Sequence, residues 1–199
     1  MSTRCVLLAS KNPGKIRNFT MAFAELGIAC RPVDSVTALK IEEHAVTPEE
    51  NALLKARAHW QPGTIVLGDD AGLEIDALGG EPGIQARRWN GRFPDTVDDD
   101  TWLDYLLKRL EGVPLEKRTA RFVSGWALIG PNGESDVMRY EQPFIIAEKR
   151  IRPMKPGLPM TAVTIEQVTK APLPLPQALA AWPFLRRVLQ IDLVATGNA

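Results

Sequence analysis

Short apolar runs alternate with helical stripes along this chain, and that alternation predicts most of its elements. Residues 4–9 carry Val6, Leu7, Leu8 and Ala9 in succession and read as a buried strand. Residues 15–26 follow as a helix, with Ile16, Phe19, Ala22, Phe23 and Leu26 on one face. After an extended piece at 29–33, Thr47-Pro48-Glu49-Glu50 marks a second helix start, with Thr at the cap, Pro in the first turn and Glu three residues after the Thr; that helix is predicted to reach about Trp60. Residues 64–68 form the next strand and deliver Asp69 and Asp70 into a glycine-flanked turn, and 73–77 make another short extended piece. A helix over 96–110 turns Trp102, Leu103, Leu106, Leu107 and Leu110 inward. Residues 119–130 and 136–147 read as a hairpin around Pro131-Asn132-Gly133. Beyond Lys149 the chain turns proline-rich, with a strand at 160–165, a rigid connector at 172–176 and a terminal helix at 177–193 that Pro183 interrupts or kinks.

The whole is an α/β pattern of 199 residues, long enough for one domain over 1–199, built as a single core or as two lobes around a cleft. Lys plus Arg and Asp plus Glu are 24 each, so no basic field exists to hold a long nucleic acid, and any nucleotide partner is a small one. No apolar run is long enough to span a bilayer, and the first residues lack the layout of a signal peptide, so a cytoplasmic location and no membrane partner are expected. Cys5 and Cys30 have no metal-ligand spacing and read as small buried hydrophobes.

Two stretches carry candidate chemistry. Ser10-Lys11-Asn12-Pro13-Gly14-Lys15 joins a strand to a helix with two lysines, a hydroxyl and a glycine, the makings of a phosphate cradle, although an ordinary strand-to-helix turn with solvent-facing lysines has the same composition. Asp69 and Asp70, side by side at the end of a buried strand, repel one another unless a cation or donors compensate them. Glu50 has two competing roles, since a third-position Glu can cap its own helix or serve a metal. The run Asp98-Asp99-Asp100 is explained as a helix start that offsets the macrodipole. Carboxylates and cradle together point to a metal-dependent enzyme acting on a phosphorylated small molecule.

Three ordered segments resemble the inosine triphosphate pyrophosphatase family, also called dITP/XTP pyrophosphatases. Ala9-Ser10-Lys11-Asn12-Pro13-Gly14-Lys15 is similar to the family's phosphate-binding signature. Glu42-Glu43, Thr47 and Glu50-Asn51-Ala52-Leu53-Leu54-Lys55-Ala56-Arg57 resemble its metal-and-phosphate helix. The stretch from Gly68-Asp69-Asp70-Ala71-Gly72 through Gly79-Gly80-Glu81-Pro82-Gly83-Ile84, with Arg88-Trp89 after it, resembles its acidic core motif. The resemblance implies an elongated two-lobed mixed sheet flanked by helices with a central cleft. It also implies a homodimer, and Mg²⁺-dependent hydrolysis of a nucleoside triphosphate such as ITP, XTP or dITP to monophosphate and pyrophosphate. By position it makes Asp70, Lys15 and Asn12 catalytic. Ser10, Lys11, Asn12, Gly14, Lys15, Lys55, Ala71 and Arg88 would bind substrate, and Glu42, Glu50, Asp69 and Asp70 would hold the metal.

The last third departs from the family. The Gly-Phe-Gly-Tyr-Asp-Pro segment is replaced by Pro156-Gly157-Leu158-Pro159-Met160-Thr161-Ala162, no Ser-His-Arg triplet occurs, and Ala71 stands where a serine is usual. The metal-and-phosphate half is whole while the base-reading half is rewritten. The base could meet Trp126, Tyr140 or Phe144 instead, although core packing explains each of those aromatics. The alternatives are a nucleotide-binding homologue without turnover and a structural dimer that keeps the fold alone; Maf-like pyrophosphatases share only the N-terminal turn. Arg118 and Arg121 either bind substrate or pair with surface acids.

Overall fold

The computed structural model describes residues 5–33, 46–166 and 173–191. Its strands are β1 (Cys5–Ala9), β2 (Ala29–Pro32), β3 (Ile65–Ile75), β4 (Pro82–Gly83), β5 (Thr119–Ile129), β6 (Ser135–Ile146) and β7 (Thr164–Glu166). Its helices are α1 (Pro13–Glu25), α2 (Pro48–His59), α3 (Asp99–Arg109), α4 (Leu175–Ala181) and α5 (Pro183–Leu189). A mixed sheet runs in the order β2-β1-β3-β5-β6-β7, with β4 on β3. β1 pairs in parallel with β2 and β3, whereas β4 on β3 and β7 on β6 are antiparallel. Fold class is therefore the α/β, helix-flanked mixed sheet read from the sequence. Among the described residues no helix is long and apolar enough to cross a membrane.

The chain divides into two compact units. The first comprises residues 1–70, 125–140 and 173–199. Its sheet is apolar on both faces, as parallel strands covered by helices require. On one face Val6, Leu8, Leu67, Trp126 and Leu128 pack with Phe19, Ala22 and Phe23 of α1 and with Leu179 and Leu185 of the last two helices. On the other, Ala9, Val66, Ala127 and Ile129 pack with Ala52 and Ala56 of α2. Leu7 pairs with Val66, and Leu8 with Leu67, so strand alternation assigns each neighbour to the opposite face.

The same register settles the cysteines. Cys5 is opposite Ala29 while Cys30 is opposite Val6, so their side chains point to opposite faces and a disulfide between them is not formed. Burial first, and Cys5 second, push the Cys30 thiol up to about 12. At pH 8 almost none of it is thiolate, the reactive form. Iodoacetamide at that pH is therefore expected to label Cys30 only after denaturation; rapid labelling of the native protein, read by mass spectrometry, would contradict the burial.

The second unit comprises residues 71–124 and 141–172. Its core gathers Leu73, Ile75, Trp89, Trp102, Leu103, Leu106, Phe144 and Ile146. Asp98 caps α3 by accepting from the Thr101 amide at 2.8 Å, Asp99 pairs with Arg87 at 2.7 Å, and Asp100 pairs with Arg150 at 2.8 Å. The acidic run is thus a helix start, as read. Arg118 is 4% exposed, and its guanidinium donates to the carbonyls of Leu110, Val113 and Ala147. It serves the end of α3 and not a ligand. Arg121 pairs with Glu74 at 2.8 Å and Asp76 at 3.0 Å, the surface-acid role.

The structure differs from the expected elements in three places. β3 is one continuous strand through both aspartates, where a turn was expected, and the chain turns only at 76–78. Residues 159–162 form a helical turn, leaving only 164–166 as strand. The terminal helix is two, α4 and α5, meeting at Trp182 because Pro183 has no amide hydrogen to continue the first.

Candidate active site

β1 has β2 on one side and β3 on the other, and α1 and α2 lie on opposite faces. The chain thus leaves β1 in one direction and returns on its far side, which makes the carboxyl end of β1, beside the middle of β3, a topological switch point. Open α/β sheets bind ligands there. Residues 10–15 follow β1 directly, and Ala9 is in register with Gly68, immediately before Asp69.

Asn12 organises the first turn. Its side-chain oxygen accepts from the amides of Gly14 at 2.8 Å and Lys15 at 3.2 Å, and Pro13 occupies the first helical position, so α1 starts two residues earlier than the apolar stripe alone predicts. The Asn12 amide in turn donates to Ser10 Oγ at 3.2 Å. The amides at 12, 14 and 15 are therefore already engaged, and Lys11 and Lys15 are the cationic part of the cradle. Replacing Asn12 by Ala removes the cap, with an expected cost of about 1 kcal/mol measured by denaturant unfolding; an unchanged midpoint would refute the cap.

Adjacent positions on a strand point to opposite faces, and that divides the two aspartates. Asp69, 3% exposed, turns toward α1 and forms an ion pair with Lys15. The contact is ionic, since Asp69 Oδ2 accepts no hydrogen bond of regular geometry. Asp70, 6% exposed, turns toward α2, where Lys55 Nζ lies 2.6 Å from Oδ1 and Asn51 Nδ2 donates to Oδ2 at 3.1 Å. Lys55 also reaches the Asp69 carbonyl at 3.5 Å. These donors are the compensation that two buried carboxylates demand, and with the charges met, β3 continues through them.

The expected metal set is only partly gathered. Glu50 is exposed; its amide donates to Thr47 Oγ1 at 3.2 Å, but among the described residues its carboxylate makes no hydrogen bond or ion pair. It neither returns the capping contact nor joins the aspartates. Glu42 lies outside the described residues, as do Glu43 and His44. Among the described residues no three His, Cys, Asp or Glu side chains gather in a metal-holding group. Lys11, at the exposed start of the cradle, bears by its charge on His59, which burial first and Lys11 second push below the usual imidazole range.

In the second unit Arg88 is half exposed and pairs with Asp95 at 3.2 Å. It precedes three consecutive left-handed residues, Trp89, Asn90 and Gly91, with φ of 45°, 54° and 88°. Trp89 is buried against Trp102 and Tyr105, and its indole donates to Glu81 at 3.3 Å, which holds this unusual turn in place. Ala71 supplies no polar side-chain atom. Of the aromatics considered for a base, Trp126 and Phe144 are each 2% exposed in the cores, and Tyr140 stacks on Trp126 at 4.8 Å while its hydroxyl donates to Leu173. Core packing, the plainer reading, is what the structure shows. The polar residue that sequence reasoning passed over is Asn51. Its position four before Lys55, on the same helical face, was the available signal.

The Ham1 family model matches residues 6–149. The chain belongs to the Ham1 family. It is 40% identical over 149 residues to the dITP/XTP pyrophosphatase of Symbiobacterium thermophilum, covering 74% of this chain and 73% of that protein. It is 38% identical over 154 residues to the dITP/XTP pyrophosphatase of Nocardia farcinica, covering 75% and 73%. Among solved structures, the nucleoside-triphosphatase / dITP/XTP pyrophosphatase of Mycobacterium abscessus superposes with a TM-score of 0.65 at 29% identity, over 92% of this chain and all of that one. A HAM1 protein from Coxiella burnetii gives 0.68 at 26%, over 94% and 95%. The family-model match stops at residue 149, yet the superpositions extend over most of the chain. In this Ham1 protein the departure of the later motifs falls where the family-model match ends.

Proposed function

We propose that this Ham1 protein hydrolyses a nucleoside triphosphate to the monophosphate and pyrophosphate, with Mg²⁺ as cofactor. One observation carries the reading: at the switch point of a Ham1 fold, two buried carboxylates are each held by a lysine that a polyphosphate would attract. Asp70 is the working carboxylate, the group that positions the attacking water. Lys15 and Lys55 receive phosphate oxygens, with Ser10, Lys11, Asn12 and Gly14 shaping the turn. Arg88 is a further phosphate ligand in this reading, and Asp69 keeps Lys15 in place.

The donor chemistry fits the ion. Asp69 and Asp70 offer hard carboxylate oxygens, and Asp69 Oδ2 is buried against the Lys15 ammonium without a hydrogen bond of regular geometry. Mg²⁺ is commonly held by one or two carboxylates together with substrate phosphates and waters, so a crowded protein cage is not required. Because strand alternation parts the aspartates, Asp70 is the better ligand from β3, with Glu42 and Glu50 as the remaining candidates. When bound, the ion offsets phosphate charge and favours departure of pyrophosphate.

The expected substrate is a deaminated purine nucleotide such as ITP, XTP or dITP, the working form a cytoplasmic homodimer, and the catalytic domain the whole of 1–199. A panel of ordinary, deaminated and modified-pyrimidine triphosphates, assayed for pyrophosphate with and without Mg²⁺, tests the activity; sedimentation tests the dimer. Release from at least one member, dependent on the ion, is the expected result. No release from any member, with nucleotides still raising the melting temperature, would replace this reading with the non-hydrolysing homologue.

A further inference from the structure

We infer that Asn51 is a positioning residue that fixes the Asp70 carboxylate and assigns its two oxygens different work. The inference deepens the proposed function and rests on it for the role of Asp70. Asn51 is 1% exposed, among the few polar side chains buried in the described residues. It lies one helical turn before Lys55 on α2, so the two side chains project from the same face and reach the same carboxylate. They divide it: Asn51 holds Oδ2 at 3.1 Å and Lys55 holds Oδ1 at 2.6 Å.

The two grips differ in kind. A polyphosphate attracts the Lys55 ammonium and draws it off Oδ1, because the ammonium is a point charge on a flexible stem, 16% exposed here. The Asn51 carboxamide is neutral, short and buried, so no anion pulls it away. Oδ2 therefore stays anchored when the substrate arrives, and Oδ1 becomes the oxygen free to meet water or the ion. An acid at 51 would repel Asp70, and an apolar residue would leave Oδ2 buried without a donor. A neutral, buried donor holds Oδ2 in place while the polyphosphate draws on Lys55.

Asn51→Leu keeps nearly the same shape and removes the donor, whereas Asn51→Gln keeps a neutral carboxamide on a side chain one methylene longer. The expected result is a roughly 100-fold loss of kcat in the Leu variant with KM within about threefold, and a smaller loss of kcat in the Gln variant. A purely structural role would lower the melting temperature of both alike and leave kcat per folded molecule near wild type; that outcome overturns the inference, as does a Gln variant no better than Leu. A second readout needs no substrate. In ¹H–¹⁵N spectra the Asn51 side-chain amide resonances should shift in Asp70→Ala and move far less in Asp69→Ala. Resonances unmoved by Asp70→Ala overturn the contact. Should the wild type release no pyrophosphate from any triphosphate, the proposed function fails, and the amide shift alone decides whether Asn51 holds Asp70.

Discussion

Asp70→Asn is expected to lower pyrophosphate release by about three orders of magnitude at saturating triphosphate and Mg²⁺. The substitution is nearly isosteric, so the buried volume in the middle of β3 is unchanged, and one side-chain oxygen remains to accept from Asn51 across 3.1 Å. What disappears is the charge. Without it, the group can neither draw a proton from water nor attract a divalent ion, and Lys55 loses the anion 2.6 Å away. Nucleotide binding should change only a few-fold, since Lys15 and the turn at 10–15 are untouched. The measurement is release kinetics beside binding by calorimetry. A variant that binds nucleotides and still turns them over at the wild-type rate would remove Asp70 from the chemistry and leave it a strand residue whose charge α2 neutralises.

A second outcome of that experiment separates stability from catalysis. β3 continues through Asp69 and Asp70 because each carboxylate has a cation from the helix on its own face. If the pair served the fold alone, the variant would melt earlier while each folded molecule worked as before. The expected pattern is the reverse: a small shift in melting and a large loss in rate.

Much of this arrangement was legible in the residues. The strand before Ser10, the cap at Thr47 and the apolar stripe of the helix ending near Leu110 all follow local rules, and the structure keeps them. The acidic pair was legible as unusual, since two adjacent buried carboxylates need compensation. Its geometry was misread. A polar pair flanked by glycine looks like a turn when only local chemistry is weighed, and the lysines that permit a strand there come from α1 and α2, far along the chain. One clue was present: the alternation of Leu73 and Ile75 with Glu74 extends the two-residue period past the aspartates, and a period unbroken from 65 to 75 would have sent Asp69 and Asp70 to opposite faces. Asn51 was hidden differently. A single amide in a helical stripe has little pattern of its own; its spacing of four before Lys55 is the one sequence clue, and its distance to Asp70 gives that spacing meaning.

Gly68→Ala is expected to be severely damaging in the first unit. Gly68 is not left-handed, so its value is space rather than backbone freedom. A methyl group built there overlaps the carbonyl of Ala52 and comes within 3.0 Å of the Ala56 amide nitrogen. Both are helix backbone, which no rotamer change can clear. α2 can lie this close to β3 because small residues face each other, Gly68 on the strand and Ala52 and Ala56 on the helix, each alanine fully buried. The added methyl must push the helix away, at a cost of about 3 kcal/mol by overpacking, or a melting temperature lower by about 6 to 12 °C for a chain of this size.

The same displacement acts on the site. Asn51 and Lys55 immediately precede Ala52 and Ala56, so a helix moved off Gly68 takes both donors off Asp70. Activity measured well below the melting point, where the variant is folded, should therefore fall by about 100-fold, since misplacement of about 1 Å is enough. Gly130→Ala is the contrast, because its new methyl meets only the flexible side chain of Glu134. It should lose little stability and no activity. If Gly68→Ala melts early yet works normally once folded, closeness of α2 to β3 serves packing alone, and the clamp on Asp70 is not what sets the rate.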